Sequence, residues 1–189
     1  MTMHMERKYD MGVLRYAILG ILNRKEMTGY DLSKEFQGSL SEFWSAKHSQ
    51  IYPELKALTE EKLITYKTEI TGTVLEKKLY FITKEGKEEL LKWESSSFKI
   101  PSSSKDEFKL QLFFSDCISN QERIQLLKNQ LDQHQKLLDH LKDNLSQFSE
   151  IPPKNEIDFS NYMVLLGAIL REESTCNWLS TCMDLCKKK

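Results

Sequence analysis

Between residues 120 and 150 apolar side chains recur at alternating steps of three and four, and this repeat sets the strongest limit on how the chain can fold. Such spacing, held for more than three heptads, is typical of the a and d stripe of a coiled coil. One helix cannot bury the stripe alone, so it must pack against a helix of the same chain, of a second chain, or both. The predicted dimerisation stripe consists of Ile124, Leu127, Leu131, His134, Leu138, Leu141, Leu145 and Phe148.

His134 is the polar residue that interrupts the stripe. A histidine there can fix the register of two helices or respond to pH, but we expect a hydrogen-bonded structural residue at the edge of the seam. The IPP sequence at 151–153 predicts the end of this helix. A last helix is expected over residues 159–186, and because its first half is apolar on several sides, partners should cover it.

Three helices are predicted in the N-terminal half. Residues 11–23 have apolar positions at helical spacing, and Thr28 is a hydroxyl cap for a second helix with Asp31 three residues on. The third helix should begin near Ser49, with that serine as its cap, because Pro53 is tolerated only near a helix start. Ile51, Leu55 and Leu58 then share its inner face.

From residue 63 the pattern becomes alternating, which is typical of strands. ITYKTEI and EKKLYFIT flank a predicted turn at Thr71, Gly72 and Thr73 and read as a hairpin. Thr83 is then placed to cap a helix with Leu90 and Trp93 on its inner side. The order of three helices, a hairpin and a helix predicts a winged helix-turn-helix.

The serine-rich stretch at 95–105 predicts a linker between two modules. We therefore expect a mainly α fold with a small β-hairpin. A winged helix-turn-helix DNA-binding domain would occupy residues 1–94, and an α-helical, coiled-coil-like dimerisation domain, which is also a possible effector domain, would occupy residues 106–189. A short amphipathic helix, DEFKLQLFFSD, would open the second domain.

The polar front of the third helix is the candidate DNA-binding surface. In a helix-turn-helix the second helix of the motif meets base edges in the major groove, and an amide such as that of Gln50 can pair with adenine. The net charge of −1 gives no electrostatic argument for DNA binding, so the argument must rest on where the basic and polar residues lie. Glu69 and Glu76 reduce the positive charge of the hairpin. The candidate residues are Lys47, His48, Ser49, Gln50, Tyr52 and Lys56, with Lys67, Lys77 and Lys78 on the hairpin.

Other function classes find little support in the sequence. No apolar run reaches the ~20 residues of a bilayer crossing, and no signal peptide is visible, so we expect a cytoplasmic protein with no membrane partner. Phosphate loops, nucleophile elbows and metal-ligand motifs are absent from the sequence, so neither catalysis, a cofactor nor a metal site is expected. Two alternatives stay open: a helical protein-interaction scaffold, and a redox or metal sensor using Cys176, Cys182 and Cys186.

Four separated motifs occur in an order that resembles the PadR family of transcriptional regulators. They are TGYDL at 28–32, FW at 43–44, SQIYPEL at 49–55 followed by Leu58, Leu63 and Ile64, and YFITKEG at 80–86. The resemblance covers about residues 11–94, with a looser similarity of the C-terminal half to the helical domain of the longer members.

The resemblance implies a homodimeric bacterial repressor that binds a two-fold operator in double-stranded DNA. It implies that the C-terminal helices and the first helix hold the dimer, that Lys47, Ser49, Gln50 and Tyr52 face DNA, and that Lys77 and Lys78 meet the backbone or minor groove. One departure is Lys62, where the family usually has glycine. A lysine at positive φ costs on the order of 1 kcal/mol, so we expect a different exit from the third helix.

Members of this family often respond to small molecules such as phenolic acids or planar drugs. A small aromatic effector is therefore a possible partner of this chain. Four side chains of the last helix are candidates for lining a pocket near the dimer interface, although an aromatic stripe at helical spacing is more often core. The candidates are Phe159, Tyr162, Met163 and Trp178.

Overall fold

A computed structural model of the chain describes residues 2–38, 40, 43–44, 46–71, 75–98 and 105–188. The backbone divides into two compact units, Met1–Ile100 and Pro101–Lys189. Gly72 and Thr73 of the predicted hairpin turn and residues 99–104 of the predicted linker lie outside the described residues, whereas Thr71, the other predicted turn residue, ends a strand. The domain limits at 94 and 106 stay predictions.

The first unit has the order of elements that the sequence predicts, with one addition. A two-residue strand precedes the second helix and joins the hairpin in a three-stranded antiparallel sheet. A pair of residues is too short to show alternation, so the sequence pattern could not reveal this strand. The elements are α1 (Thr2–Arg24), β1 (Met27–Thr28), α2 (Gly29–Glu35), α3 (His48–Glu60), β2 (Ile64–Thr71), β3 (Leu75–Ile82) and α4 (Lys84–Glu94).

The sheet has the order β1-β3-β2. Met27 of β1 lies opposite Tyr80 of β3, while β2 and β3 pair continuously from Ile64 opposite Ile82 to Thr71 opposite Leu75. The hairpin is therefore a two-stranded ribbon beyond the short β1 pairing. This is the wing of a winged helix-turn-helix.

The core of the first unit forms where the inner faces of α1, α3 and α4 meet the sheet. Ile18 of α1 and Ile51 and Leu58 of α3 have no exposed surface, which confirms the predicted inner face of α3. Burying such a side chain stabilises the fold by about 1.5–3 kcal/mol. The remaining buried apolar residues of this core are Leu14, Leu19, Leu22, Met27, Leu32, Phe36, Leu55, Ile64, Tyr80 and Leu90.

Two predicted hydroxyl caps are confirmed. The Thr28 oxygen accepts a hydrogen bond from the Asp31 amide at 3.2 Å, and the Thr83 oxygen accepts one from the Gly86 amide at 3.0 Å. Each bond satisfies an amide that the first turn of a helix leaves without a partner. These caps fix where α2 and α4 begin.

The exit of α3 differs from our expectation. Lys62 adopts a φ of 61°, so the lysine takes the left-handed conformation that glycine would favour. The Leu63 amide donates to the Leu58 carbonyl at 2.9 Å and the Lys62 amide to the Thr59 carbonyl at 3.1 Å, the two bonds of a Schellman motif. The prediction of an altered exit was wrong, because tertiary structure imposes this turn despite its local cost.

The second unit consists of helices. A short helix and a single turn of 3₁₀-helix lead into two long helices, which are joined by a segment containing the two prolines at 152 and 153. Ser119 caps the first long helix by accepting from the Glu122 amide, and its own amide donates to the Glu122 carboxylate. The elements are α5 (Glu107–Phe113), the 3₁₀ turn Ser115–Cys117, α6 (Asn120–Leu145) and α7 (Ile157–Lys187).

The heptad stripe of α6 packs against α7 of the same chain. Leu138 and Leu141 are buried in one cluster with Leu165 and Ile169 of α7. Leu127 is also fully buried, whereas Ile124, Leu131 and Leu145 are half-buried. The stripe could pack against a helix of the same chain or of a second chain. The structure shows the first of these, since α7 of the same chain covers part of the stripe.

Two details of the predicted stripe change. His134 forms the expected structural hydrogen bond, with Nδ1 2.5 Å from the Glu172 carboxylate on α7. Phe148 lies beyond α6, which ends at Leu145 well before the prolines, so its assignment to a helical heptad position was wrong. Its ring nevertheless packs edge-on against Tyr162 at 5.6 Å, which keeps it at the same cluster.

One face of α7 is apolar but exposed in the single chain. Leu165 and Ile169 are buried against α6, while Met163, Leu166 and Leu170 on the other side are 37–56% exposed. Among the described residues, no helix combines the length and apolar character needed to cross a bilayer. The chain itself therefore covers one face of α7 and leaves the opposite apolar face exposed.

Candidate nucleic-acid interface

The front of α3 is exposed along its first two turns. Tyr52 is 43% exposed, and Gln50 is half-buried. Because Ile51, Leu55 and Leu58 fix the back of the helix in the core, the front must face outward. The structure thus presents these predicted DNA-binding side chains as exposed residues of one short segment: Lys47, His48, Ser49, Tyr52 and Lys56.

Gln50 has a structural role that the sequence analysis missed. The helix begins at His48, and the Lys47 amide donates to Gln50 Oε1 at 2.9 Å. The prediction that Ser49 caps the helix was wrong, because this serine lies within the first turn. The signal was present, since a glutamine three residues after the cap position is one half of a capping box. A two-point contact to adenine must therefore coexist with this bond or replace it.

Tyr52 is held in place by its neighbours. Its ring lies 4.8 Å from the His48 ring, one turn earlier on the helix. On another side it approaches Gly29 of α2, where an added β-carbon would lie 3.0 Å from Tyr52 Cε1. Gly29 thus allows the start of α2 to lie directly beside the front of α3.

The three wing lysines do not share one face of the hairpin. Directly opposite residues of an antiparallel pair point to the same face, and successive residues alternate. Lys77 lies opposite Glu69 and shares a face with Lys67, whereas Lys78 lies opposite Thr68 and shares the other face with Tyr66. The single basic patch expected from the sequence is therefore split between the two faces of the ribbon.

Two wing lysines lie over aromatic rings. Lys67 Nζ is 5.0 Å from the centroid of the Phe81 ring, and Lys78 Nζ is 4.2 Å from that of Tyr66. Such cation–π contacts restrict the side chain while the ammonium group stays exposed. All three lysines are exposed, so each face of the wing offers a cation to an anionic partner.

The inner side of α3 carries a carboxylate that the sequence analysis did not single out. Glu54 is only 9% exposed, and burial raises the pKa of this carboxyl, an effect that nearby Arg15 opposes and Glu61 reinforces. Arg15 of α1 forms an ion pair with Glu61, just beyond the end of α3. One arginine therefore faces two carboxylates and links α1 to the back of the candidate recognition helix.

The predicted effector residues do not form one pocket within the chain. They lie on the continuous helix α7, and at a rise of ~1.5 Å per residue Trp178 is more than ~20 Å from Met163 along the axis. Tyr162 packs on Phe148, whereas Trp178 packs edge-on against Phe108 at 6.1 Å. Phe159 and Tyr162 are half-buried, and Met163 is 50% exposed. Within one chain the four residues therefore do not line a single pocket, and a pocket near the dimer interface stays a prediction.

The cysteines are free thiols in different surroundings. Cys176 is buried between the long helices, and its pKa is raised first by burial and then by Glu172 and Asp139. Cys182 and Cys186 are half-buried, and Cys117 is exposed. Among the residues that the structure describes, no group of three or more histidine, cysteine, aspartate or glutamate side chains is placed to hold a metal ion.

Comparison with known proteins identifies the family. The family model described as "Transcriptional regulator PadR-like family" matches residues 18–92, and the one described as "Virulence activator alpha C-term" matches residues 104–187. The chain is 45% identical over 181 residues to the negative transcriptional regulator PadR of Bacillus subtilis (strain 168), which covers 94% of this chain and 100% of that protein. This chain belongs to the PadR-like family of transcriptional regulators.

Solved structures of a PadR-like relative agree with this assignment over both units. The structure of Bacillus subtilis PadR in complex with operator DNA has a TM-score of 0.86 and 42% identity, covering 92% of this chain and 99% of that one. Its complex with p-coumaric acid has a TM-score of 0.84 and 39% identity, covering 93% and 99%. This relative is named a negative transcriptional regulator, in keeping with the prediction of a transcriptional regulator from the sequence.

Proposed function

We propose that this protein is a homodimeric transcriptional repressor that binds operator DNA and is released by a small aromatic effector. The observation that carries the DNA-binding part is the similarity, at 42% identity over 92% of the chain, to a relative solved on operator DNA. The exposed front of α3 supports it, because a helix with an apolar back and a polar, aromatic front suits the major groove. Such a regulator would act in the cytoplasm, where bacterial DNA lies.

The recognition surface in this proposal has two parts. Ser49, Gln50 and Tyr52 would meet base edges or the adjacent backbone, and Lys47, His48 and Lys56 would lie at the backbone. Lys67, Lys77 and Lys78 would contact phosphates from the two faces of the wing. Because those lysines lie on different faces, a wing that enters a groove can meet both of its walls.

The homodimer and the effector complete the proposal. A two-fold operator requires two copies of α3, and the exposed apolar face of α7 is a surface that a second copy can cover. The predicted stripe residues on α6 would then contribute to the dimer indirectly, by packing against the inner face of α7 and fixing its position. The relative solved with p-coumaric acid makes a phenolic acid the first effector class to test.

The decisive experiment measures binding of the full-length protein to duplex DNA from the region upstream of its own coding sequence. Fluorescence anisotropy at several salt concentrations should show saturable binding that weakens steeply with salt, stronger than binding to a shuffled duplex. Adding p-coumaric acid should release the operator duplex, while phenylalanine serves as an aromatic control lacking the phenol. Equal, weak binding to both duplexes would refute the operator proposal.

A further inference from the structure

An aromatic and cationic pair stands on α2, outside the residues considered so far. Tyr30 is 61% exposed, and Lys34 Nζ lies 4.5 Å from the centroid of its ring. The two residues are four apart on a helix and therefore lie on the same face. A tyrosine this exposed is not part of the core, and its contact with the lysine orders both side chains at the surface.

The pair adjoins the candidate recognition helix. Gly29, the residue before Tyr30, contacts the Tyr52 ring, because a β-carbon added at Gly29 would lie 3.0 Å from that ring. The first turn of α2 therefore lies beside the exposed front of α3. Tyr30 and Lys34 are exposed on the helix whose first residue lies against Tyr52.

The charged groups around the pair leave Lys34 available. Asp31 is three residues before Lys34 and lies close to it on the helix surface, but its carboxylate accepts a hydrogen bond from the Thr28 hydroxyl at 2.7 Å. Glu35 is exposed on a different face of the helix from Lys34. The ammonium group of Lys34 thus contacts the face of an aromatic ring, an arrangement that keeps its charge and its three donors.

We infer that Tyr30 and Lys34 together bind a phosphate of the DNA backbone at the edge of the groove that α3 enters. This inference rests on the proposed function. The first helix of a helix-turn-helix crosses the backbone, and lysine and tyrosine side chains donate hydrogen bonds to phosphate oxygens. Because the cation–π contact already restricts the lysine, binding would cost less side-chain entropy than for a free lysine. The contact would add affinity without reading sequence.

The test compares Lys34→Ala and Tyr30→Phe with a control variant, Lys92→Ala, which removes another exposed lysine from α4. Binding to the operator duplex and to a shuffled duplex is measured across a salt series. Lys34→Ala should weaken both by a similar factor and reduce the slope of log K against log salt by about one for each subunit bound. Tyr30→Phe keeps the ring under Lys34, so a loss of affinity there assigns a role to the hydroxyl.

The outcomes separate the inference from the function on which it rests. If Lys34→Ala binds each duplex with the same affinity and the same salt slope as the wild-type protein, the phosphate contact is refuted while DNA binding stands. If the wild-type protein binds neither duplex, both fail. A loss confined to the operator duplex would also refute the inference, since a phosphate contact carries no sequence information. Thermal unfolding of each variant verifies that these exposed changes leave the fold intact.

Discussion

The carbonyl oxygen of Leu63 lies only 2.0 Å from the point that a β-carbon at position 86 would occupy, so Gly86 allows the start of α4 to pack against the exit of α3. Thr83 completes the junction. Its amide donates to the Leu63 carbonyl at 3.1 Å, and its hydroxyl lies 2.8 and 2.9 Å from the carbonyl oxygens of Lys62 and Leu63. The orientation of α3 is therefore set at its end as well as by its buried face.

Replacing Gly86 with alanine should destabilise the first unit by about 1–3 kcal/mol or more, because backbone must move to admit the new carbon. Urea unfolding of the full chain measures the change. Gly20→Ala is the matched control, since a β-carbon there meets nothing within 4 Å, and in a helix it should stabilise by about 0.5–1 kcal/mol. Similar effects of the two substitutions would contradict the close approach.

Lys62→Gly should raise the free energy of unfolding by about 1 kcal/mol. Lys62 holds a φ of 61°, which glycine adopts without the steric cost that a β-carbon brings. Lys62→Ala removes the same charge and keeps the β-carbon, so it should have little effect. A stability gain in the alanine variant equal to that in the glycine variant would show that charge, not backbone conformation, is responsible.

Gln50 can be tested for two separate roles. Gln50→Ala removes the bond to the Lys47 amide and should cost roughly 0.5–1 kcal/mol of stability, whereas Gln50→Glu keeps a capping oxygen and should stay near wild type. If the amide reads a base, both variants should lose about 1–3 kcal/mol of preference for the operator over a shuffled duplex. Loss of preference in the alanine variant alone would assign Gln50 to capping.

The buried carboxyl of Glu54 should make stability depend on pH. Its pKa is raised in the folded protein, so its contribution to stability is fully present below the ordinary carboxyl pKa and is lost as pH rises through the raised value. Glu54→Gln should therefore stabilise the protein at pH 7, with the difference from wild type shrinking toward pH 4. Glu60→Gln, at an exposed site of the same helix, is the matched control for removal of a carboxylate charge. A pH-independent gain in Glu54→Gln would contradict the assignment.

Two substitutions distinguish whether the heptad stripe of α6 packs within the chain or between two chains. Leu138 is 4% exposed against α7, so Leu138→Asp should unfold the second unit, seen as lost helical circular dichroism. Leu170, 56% exposed on the other face, should tolerate Leu170→Glu and give a folded monomer in sedimentation if that face holds the second copy. A folded monomer from Leu138→Asp would instead place the α6 stripe between chains.

The sequence predicted the features that depend on periodicity and on local hydrogen bonding. The inner face of α3, the hairpin and the caps at Thr28 and Thr83 all follow from patterns within a few residues. The features that it missed depend on contacts distant in sequence. The β1 pairing with β3, the burial of Glu54 beside Arg15 and the positive φ of Lys62 are imposed by packing between elements, which no local pattern encodes.

The candidate site shows the same division. Exposure of the α3 front followed from its apolar back, but the split of the wing lysines needed the strand register, and the Gln50 cap needed the true helix start. The four proposed effector residues were chosen by chemistry alone. Distance along one continuous helix then separated Trp178 from the other three.

The sheet order has a consequence for how the chain behaves at high concentration. β2 forms the outer edge of the sheet, and an unpaired strand edge is a template on which other chains can aggregate. Lys67 and Glu69 lie exposed on that strand, and charges of this kind discourage edge-to-edge pairing. Lys67, which we propose contacts a phosphate of DNA, would therefore also oppose edge-to-edge pairing of the protein with itself.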